Sequence, residues 1–464
     1  MTALPEQFTN RMRAQLGGEF DSFIAAYGLA PVRGLRINTL KLTKERFLSL
    51  CPWRVSQSET LTEGLILEED AEHIGTHPYH LAGLFYIQEP SAMSVIEYAD
   101  IRPGQRVLDL CAAPGGKSGG VAARLCGSGL LVSNEIVPNR ALQLARNLER
   151  LGAVNTVVLN EHPDAVRSAF PYFFDRVIVD APCSGEGMFR KEPTAIGEWS
   201  PEHVISCAAR QSAILESASG CVSVGGKLIY STCTFSPEEN EGVIDSFLRD
   251  HHEFKLETTI RLYPHKVRGE GHFCARLVRC GDDPRLLSDD HKGHKVSGAA
   301  NRVPSKRAAG SSLSSIRRAA GAPQTAAQDF FRSAFGDEDL PAFTERLFAC
   351  GDRLVYLPFE YPTSAERLRT VSVGTEVGAF DGKVFKPSHA FFMAAHGFHA
   401  LRSIGFDPND RKLLSFLGGN SIECELGSGY ASVNVNDYPV GFGKVTDGIL
   451  KNRLPKGLTV PFYR

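Results

Sequence analysis

Two short apolar runs, each ending in a loop that carries one cysteine, place the strongest constraint on how this chain folds. The runs are Val177-Ile-Val-Asp180-Ala-Pro-Cys183 and Ile229-Tyr-Ser-Thr-Cys233. A β-branched run that stops abruptly in a loop is typical of a buried parallel strand. Because open α/β sheets bind ligands at the carboxyl ends of their parallel strands, we expect both thiols at that edge, in a two-thiol active site.

The central part of the chain, residues 96–282, has the pattern of a parallel sheet. Apolar runs alternate there with helical periodicity, which predicts βαβ units and an α/β fold. The predicted strands cover residues 106–110, 130–135, 156–159, 176–180 and 227–232, and the predicted helices cover 118–125, 138–151 and 201–224.

The segment before it, residues 1–95, combines helical spacing with a basic, strand-like run and is predicted to be a small α+β domain. The run is Arg33-Gly-Leu-Arg36-Ile-Asn38-Thr-Leu-Lys41. Its basic side chains either contact phosphates or lie on a solvated strand face, and the spacing alone favours the solvated face.

Two further segments follow the central part. Residues 283–325 hold several lysines and arginines among Ser, Ala and Gly, which predicts a basic flexible linker. Such a linker either follows nucleic-acid phosphates or is only a solvated tether. Residues 326–464 return to a globular composition, and their short apolar runs with Gly-rich turns predict a mostly-β or α+β domain.

Composition excludes some classes of protein. The formal net charge of −2 does not indicate a nucleic-acid binder, so such binding would depend on local basic surface. No stretch resembles a signal peptide or approaches the roughly 20 apolar residues of a membrane helix. The eleven cysteines include no C-x-x-C pair, and the fourteen histidines show no metal-ligand spacing. We expect a cytoplasmic monomer with reduced thiols, no metal and no membrane contact.

A glycine turn after the first predicted strand indicates a cofactor site. Gly115 and Gly116 let the backbone approach a ligand and direct helix N-terminal amides at it. Glu135 follows about 20 residues later at the end of the next strand, where a carboxylate can bind a ribose diol. The P-loop frame around Lys117 is absent, so a nucleotide triphosphate is disfavoured. A ribose-binding acid without a phosphate loop fits S-adenosylmethionine.

The two thiols fit the chemistry of cytosine C5 methylation. That ring carbon is a poor nucleophile, and a thiolate added at C6 moves electron density onto C5. A second group near C5 then helps to remove the C5 proton. Asp180 lies on the same proline-stiffened turn as Cys183 and can bind N3 and the exocyclic amine of the base.

The motifs resemble those of the RNA cytosine-5 methyltransferases of the Sun/Nop2 group. Three occur in the same order within one predicted domain: residues 109–117, 180–191 and 231–241. Residues 33–39 and 86–93 resemble the N-terminal part of the RsmF-like branch, whose bacterial members act on 16S ribosomal RNA. Residues 443–457 resemble its PUA-like, RNA-binding region. The resemblance covers nearly the whole chain except the linker.

The resemblance implies a Rossmann-like, class I S-adenosylmethionine-dependent core, with RNA-binding domains before and after it. It implies that Cys233 attacks C6 and that Cys183 helps release the methylated RNA, an order that sequence reasoning alone leaves open. Asp180 and Lys117 match positions that line the site. The implied cofactor residues are Cys111, Ala112, Ala113, Pro114, Gly115, Gly116, Lys117, Glu135, Asp180 and, in the loop Asn160–Asp164, His162.

The expected activity is formation of 5-methylcytidine in 16S ribosomal RNA. A transfer RNA methyltransferase of the same chemistry is the main alternative. A non-catalytic ribosome-assembly factor is a distant one, since it predicts damaged motifs whereas Lys117, Asp180 and both thiols are present. An enzyme that methylates an exocyclic amine would need no cysteine.

Overall fold

The computed structural model describes residues 4–281 and 316–461, and these contain four β-sheets. The first sheet belongs to the N-terminal part and has the order β2-β3-β1-β4, with β1 antiparallel to both β3 and β4. The elements of this part are α1 (Glu6–Leu16), α2 (Phe20–Tyr27), β1 (Gly34–Ile37), α3 (Lys44–Leu50), β2 (Val55–Gln57), β3 (Gly64–Leu67), α4 (Pro78–Leu81) and β4 (Phe85–Gln88).

The central part supplies seven strands of the largest sheet. Its elements are α5 (Pro90–Ala99), β5 (Arg106–Asp109), α6 (Gly116–Leu125), β6 (Leu130–Asn134), α7 (Pro138–Leu151), β7 (Thr156–Leu159), α8 (Pro163–Ala169), β8 (Phe174–Asp180), α9 (Pro193–Glu198), α10 (Pro201–Ser219), β9 (Val222–Thr232), α11 (Glu241–Asp250), β10 (Phe254–Leu262) and β11 (His272–Arg279).

This sheet has the order β10-β11-β9-β8-β5-β6-β7-β15, and its strands from β9 to β7 are parallel. From β5 the chain runs outward through β6 and β7, then returns to form β8 and β9 on the other side. The strand order therefore reverses between β5 and β8, and open α/β sheets bind ligands at such a point. Buried apolar clusters cover both faces of the sheet, as the apolar runs predict.

The C-terminal part contains two five-stranded sheets, ordered β12-β13-β14-β16-β17 and β18-β20-β21-β22-β19. Its elements are β12 (Arg317–Arg318), α12 (Gly321–Phe335), α13 (Leu340–Glu345), β13 (Leu347–Cys350), β14 (Arg353–Tyr356), β15 (Thr370–Val373), β16 (Thr375–Phe380), β17 (Phe385–Pro387), α14 (His389–Met393), β18 (Ser403–Phe406), α15 (Arg411–Leu417), β19 (Ile422–Glu423), β20 (Gly429–Val435), β21 (Tyr438–Thr446) and β22 (Ile449–Asn452).

One strand of the C-terminal part joins the central sheet. β15 pairs antiparallel with β7, with Ser372 opposite Val158 and Val373 opposite Val157. An unpaired strand edge is an aggregation hazard, and β15 covers this one. The central and C-terminal parts thus share one hydrogen-bonded sheet, a link that the sequence analysis does not contain.

The predicted linker, 283–325, lies mostly outside the described residues. Its last ten residues hold β12 and the start of α12, so in the structure regular elements begin earlier than predicted. The composition does not reveal the start of α12, because the first turns of this helix consist of small and polar residues. Its buried aromatic side chains, Phe330 and Phe331, come only beyond residue 325.

Two basic residues of the N-terminal run, Arg36 and Lys41, differ from both expectations, whereas the Arg33 side chain is exposed. All four residues of β1 are buried, and Arg36 retains only 4% exposure, so it is neither a phosphate contact nor part of a solvated face. Its guanidinium donates hydrogen bonds to the side chain of Gln88 and to the carbonyl of Gly116. Lys41 donates to the carbonyls of Ala82 and Arg150, near the end of α7. Both cations therefore donate their hydrogen bonds to carbonyl groups inside the protein.

Candidate active site

The reversal of strand order brings the predicted catalytic residues to one edge of the sheet. Asp109 ends β5, Asp180 ends β8, and Cys233 directly follows β9. The register places Asp180 opposite Ser231 on β9, so the loops that carry the two thiols leave neighbouring strands at the same level. Parallel pairing therefore brings the two thiol loops to neighbouring positions at this edge.

The two thiols lie within hydrogen-bonding distance of each other. The Sγ atoms of Cys183 and Cys233 are 3.3 Å apart, and all eleven cysteines of the chain are free. The hydrogen bond to Cys233, followed by burial, raises the pKa of the Cys183 thiol well above its ordinary value. Cys183 therefore keeps its proton and can donate it to the Cys233 sulphur, which suits Cys233 to the thiolate role.

Two buried glutamates hold the thiol loops against each other. Glu239 accepts hydrogen bonds from the backbone amide of Ser184, at 2.9 Å, and from the Ser184 hydroxyl, at 2.5 Å. Glu186 accepts from the amide of Phe235 at 2.9 Å. The amide of Gly187 also donates directly to the carbonyl of Cys233 at 2.8 Å. These contacts cross between the loops in both directions and fix the separation of the sulphur atoms.

An ion pair between a buried lysine and a half-buried aspartate lies beside the thiols. Lys117 Nζ is 2.7 Å from Asp180 Oδ2, and the Ser231 hydroxyl donates to Asp180 Oδ1 at 2.9 Å. Burial raises the pKa of Asp180, but the charge of Lys117 and the surrounding donors outweigh it and lower the pKa below the ordinary value. Burial lowers the pKa of Lys117, and Asp180 reverses this to a net rise. Both groups therefore carry charge at neutral pH.

A cavity of about 980 Å³ opens from the thiols along the edge of the sheet. Glu135 lines it, buried to 3% exposure, and accepts a hydrogen bond from the Val137 amide at 2.8 Å. Ile136 and Val137 also line the cavity and remain 56% and 42% exposed. A buried acid beside exposed apolar side chains offers a ribose site next to a surface for an aromatic base. Arg140 braces this wall by donating to the carbonyl of Ala113.

The predicted cofactor loop contributes only part of its length to the cavity. Cys111 and Ala113 line the wall. Burial raises the pKa of Cys111, which therefore stays a neutral thiol. The other predicted residues of the loop are not part of the wall: Ala112, Pro114, Gly115 and Gly116 shape the turn into α6, and Lys117 extends to Asp180.

The loop after β7 separates into a supporting and a lining part. Asn160 is buried and donates to the carbonyls of Glu135 and Ile136, so it holds the segment that follows β6 from behind. His162 and Asp164 line the cavity. His162 also caps α8 by accepting from the Asp164 amide. The structure thus brings His162 to the predicted cavity with its ring 64% exposed.

Sequence reasoning missed several residues of the site. Ile136 and Val137 directly follow Glu135, and Arg140 lies five residues beyond it, so closeness in the sequence was the available signal. His272, at the start of β11, lies 3.8 Å from Asp180 through its Nε2 atom. No spacing in the sequence connects it to the motifs, because β11 reaches the site by pairing antiparallel with β9.

Two further findings concern the described ranges, 4–281 and 316–461. No group of three or more His, Cys, Asp or Glu side chains there is arranged to hold a metal ion. No helix there is long and apolar enough to cross a bilayer.

The reversed parallel sheet, the acid at the end of its second strand and the adjoining cavity define a Rossmann-like fold of the S-adenosylmethionine-dependent methyltransferase class. Family models described as 16S rRNA methyltransferase RsmB/F, the N-terminal domain of RsmF and the RsmF PUA domain match residues 97–278, 4–90 and 404–460, respectively. The three matches lie in different parts of the chain, and in each of them the chain is similar to the RsmB/F methyltransferases.

Curated relatives agree with this assignment. The ribosomal RNA small subunit methyltransferase F of Salmonella arizonae is 37% identical, and the match covers 62% of this chain and 66% of the relative. The protein of the same name from Salmonella paratyphi B is 35% identical with the same coverage. The chain thus matches just under two thirds of the length of these relatives.

Solved structures share the fold. A methyltransferase homologue from Pyrococcus horikoshii, 27% identical, superposes with a TM-score of 0.53 and covers 60% of this chain and 95% of its own. NSun6 from Pyrococcus horikoshii also gives 0.53 at 20% identity, covering 60% of this chain and 99% of its own, and that likeness concerns the fold alone.

Proposed function

We propose that this protein transfers a methyl group from S-adenosylmethionine to C5 of a cytosine in 16S ribosomal RNA, through a covalent adduct with Cys233. One observation carries the proposal: the Cys183 and Cys233 sulphur atoms lie 3.3 Å apart, beside the Lys117–Asp180 pair at the end of the cavity. Methylation of a ring nitrogen or an exocyclic amine needs no thiol, whereas C5 methylation needs a nucleophile at C6.

The cavity wall fits S-adenosylmethionine. The Glu135 carboxylate is placed to accept hydrogen bonds from a ribose diol, and Ile136 and Val137 offer an apolar surface for adenine. Cys111, Ala113 and His162 would complete the wall. When bound, S-adenosylmethionine would supply an electrophilic methyl group to the carbon nucleophile.

In the proposed reaction the Cys233 thiolate bonds to C6, and the displaced double-bond electrons make C5 a carbon nucleophile. Bound S-adenosylmethionine would supply the methyl group to C5 and, with its S–CH3 bond broken, would leave as a neutral thioether. Negative charge develops at N3 and O2 as Sγ attacks. Asp180, with about a third of its side chain exposed to the cavity, is placed to accept from the exocyclic amine. The Lys117 ammonium, 2.7 Å from Asp180, can donate to the developing charge.

Release of the product requires loss of the C5 proton and cleavage of the C6–Sγ bond. The electrons of the C5–H bond re-form the double bond as the Cys233 thiolate leaves. Cys183 lies next to the bonded sulphur, so it can give its proton to Cys233 as that sulphur leaves and take up the C5 proton in its place.

The substrate assignment rests on the family. The relatives are named ribosomal RNA small subunit methyltransferases, and a PUA-domain model matches residues 404–460. To reach the thiols, a cytosine must leave its stack, which costs a few kcal/mol that contacts in the site would offset.

The test is to compare 5-methylcytidine in 16S ribosomal RNA and transfer RNA from deletion cells that carry wild-type protein, Cys233→Ala or Cys126→Ala. Cys126 is an exposed free thiol and serves as the matched control. We expect a 16S ribosomal RNA signal that disappears only with Cys233→Ala. Modification confined to transfer RNA, or retained by Cys233→Ala, would contradict the substrate or the nucleophile, respectively.

A further inference from the structure

His272 lies at the same edge of the sheet as the thiols. It opens β11, and its neighbour Phe273 pairs with Thr232, so His272 is level with Cys233. Gly271 precedes it with a φ of +102°, and a Cβ there would come within 2.5 Å of the Phe235 ring. This turn can therefore be made only by glycine, and it directs the start of β11 into the site.

The ring of His272 is buried but has free hydrogen-bonding capacity. The residue keeps 2% exposure, and neither Nδ1 nor Nε2 has a hydrogen-bond partner among the described residues. Burial, followed by the charge of Lys117, lowers its pKa to about 3, so the ring is neutral and carries one N–H. An unsatisfied polar group in such a place costs on the order of 1–3 kcal/mol.

The unsatisfied ring of His272 lies close to Asp180, a residue of the candidate active site. Nε2 is 3.8 Å from Asp180 Oδ1, whose partner is the Ser231 hydroxyl, while Lys117 binds Asp180 Oδ2. A shift of about 1 Å would bring Nε2–H into hydrogen-bonding range of Asp180 Oδ1.

We propose that His272 is a positioning residue that holds Asp180 in place when the target base binds. The inference rests on the proposed function. A bound cytosine forms its own hydrogen bonds with Asp180 and draws the Lys117 ammonium towards the base. The Asp180 carboxylate would then keep only the Ser231 hydroxyl as a fixed partner. The Nε2–H of His272 then closes on Asp180 Oδ1 and keeps the carboxylate aimed at the base.

The test compares His272→Gln, whose amide nitrogen can replace Nε2–H, with His272→Phe, which keeps a flat ring without a donor. We expect His272→Phe to lower kcat for methyl transfer to 16S ribosomal RNA by about tenfold or more with an unchanged KM for S-adenosylmethionine. His272→Gln should restore kcat to within a few-fold. His80→Phe, at a half-buried histidine whose buried Nδ1 has no partner among the described residues, controls for the loss of a ring nitrogen as such.

A second comparison tests the inference if the His272→Phe variant does not fold. His272→Asn carries its amide nearer to the Nδ1 position, so it should be slower than His272→Gln at equal thermal stability. Equal kcat for the two amide variants, or for His272→Phe and wild type, would overturn the inference alone. A wild-type protein that transfers no methyl group to cytosine would instead contradict the proposed function.

Discussion

Asp109 and Asp180 end neighbouring strands at the same buried edge, yet their pKa values move in opposite directions. Asp180 has Lys117 at 2.7 Å, and its pKa is lowered. Asp109 has one hydrogen bond, from Ser118, and no partner on Oδ1 among the described residues. Burial raises the pKa of Asp109 to about 7. The position of a single lysine decides which carboxylate is ionised.

The raised pKa of Asp109 predicts a pH dependence of stability. Its stability contribution is fully present below the unfolded pKa of about 4 and is lost as pH rises towards the folded value of about 7. We expect Asp109→Asn to gain about 2–3 kcal/mol in unfolding free energy relative to wild type between pH 5 and pH 8. Denaturant titrations at both pH values measure this. Asp70→Asn, at an exposed ion pair, should show no such trend.

At the level of single residues, sequence reasoning identified candidate site residues only where they belong to local motifs. The strand-end argument places Cys183, Cys233 and Asp180 at one edge of the sheet, and the two sulphur atoms there are 3.3 Å apart. Lys117, which the family resemblance alone assigned to the site, contacts Asp180. The position of His272 could not be predicted from the sequence, because it depends on how the later antiparallel strand β11 pairs with β9. The same holds for the burial of Arg36, whose partners come from β4 and the first residue of α6.

At the level of elements, α7 shows how local signals fix boundaries. Proline at its first position and glycine after its last residue predict the bounds that the structure has, Pro138–Leu151. Gly152 then adopts a φ of +78° and accepts a hydrogen bond from the Ala395 amide, so the helix end is also a junction with the C-terminal part. β15 carries no comparable signal, because its partner, β7, lies some 200 residues earlier.

Replacing Gly152 should therefore destabilise the protein by more than backbone strain alone. An alanine Cβ would meet the carbonyl oxygen of Met393 at 2.8 Å, in addition to the cost of a positive φ. We expect Gly152→Ala to lower the unfolding free energy by about 2–4 kcal/mol. Gly104→Ala is the matched control, since its φ is +86° but its nearest neighbour is 4.0 Å away, and it should cost about 1 kcal/mol. Equal losses in thermal denaturation would show that the junction is not packed as described.

At the level of the whole molecule, the N-terminal part supports the candidate cofactor site from behind. Arg36 joins β1 to the Gly116 carbonyl at the start of α6 without lining the cavity. We expect Arg36→Met to weaken S-adenosylmethionine binding about tenfold in calorimetric titration, because the Gly116 carbonyl loses the donor that ties it to β1. Arg33→Met, on the exposed side of the same region, should bind like wild type. A similar loss in both variants would point to charge rather than to this contact.

The covalent step can be observed directly. We would purify Cys183→Ala from cells, separate it on a denaturing gel and sequence any RNA that stays attached. Because Cys183 is proposed to help release the product, we predict an adduct with 16S ribosomal RNA that is absent from Cys183→Ala/Cys233→Ala. An adduct that persists in the double variant, or no adduct together with normal methylation by Cys233→Ala, would contradict the two-thiol mechanism.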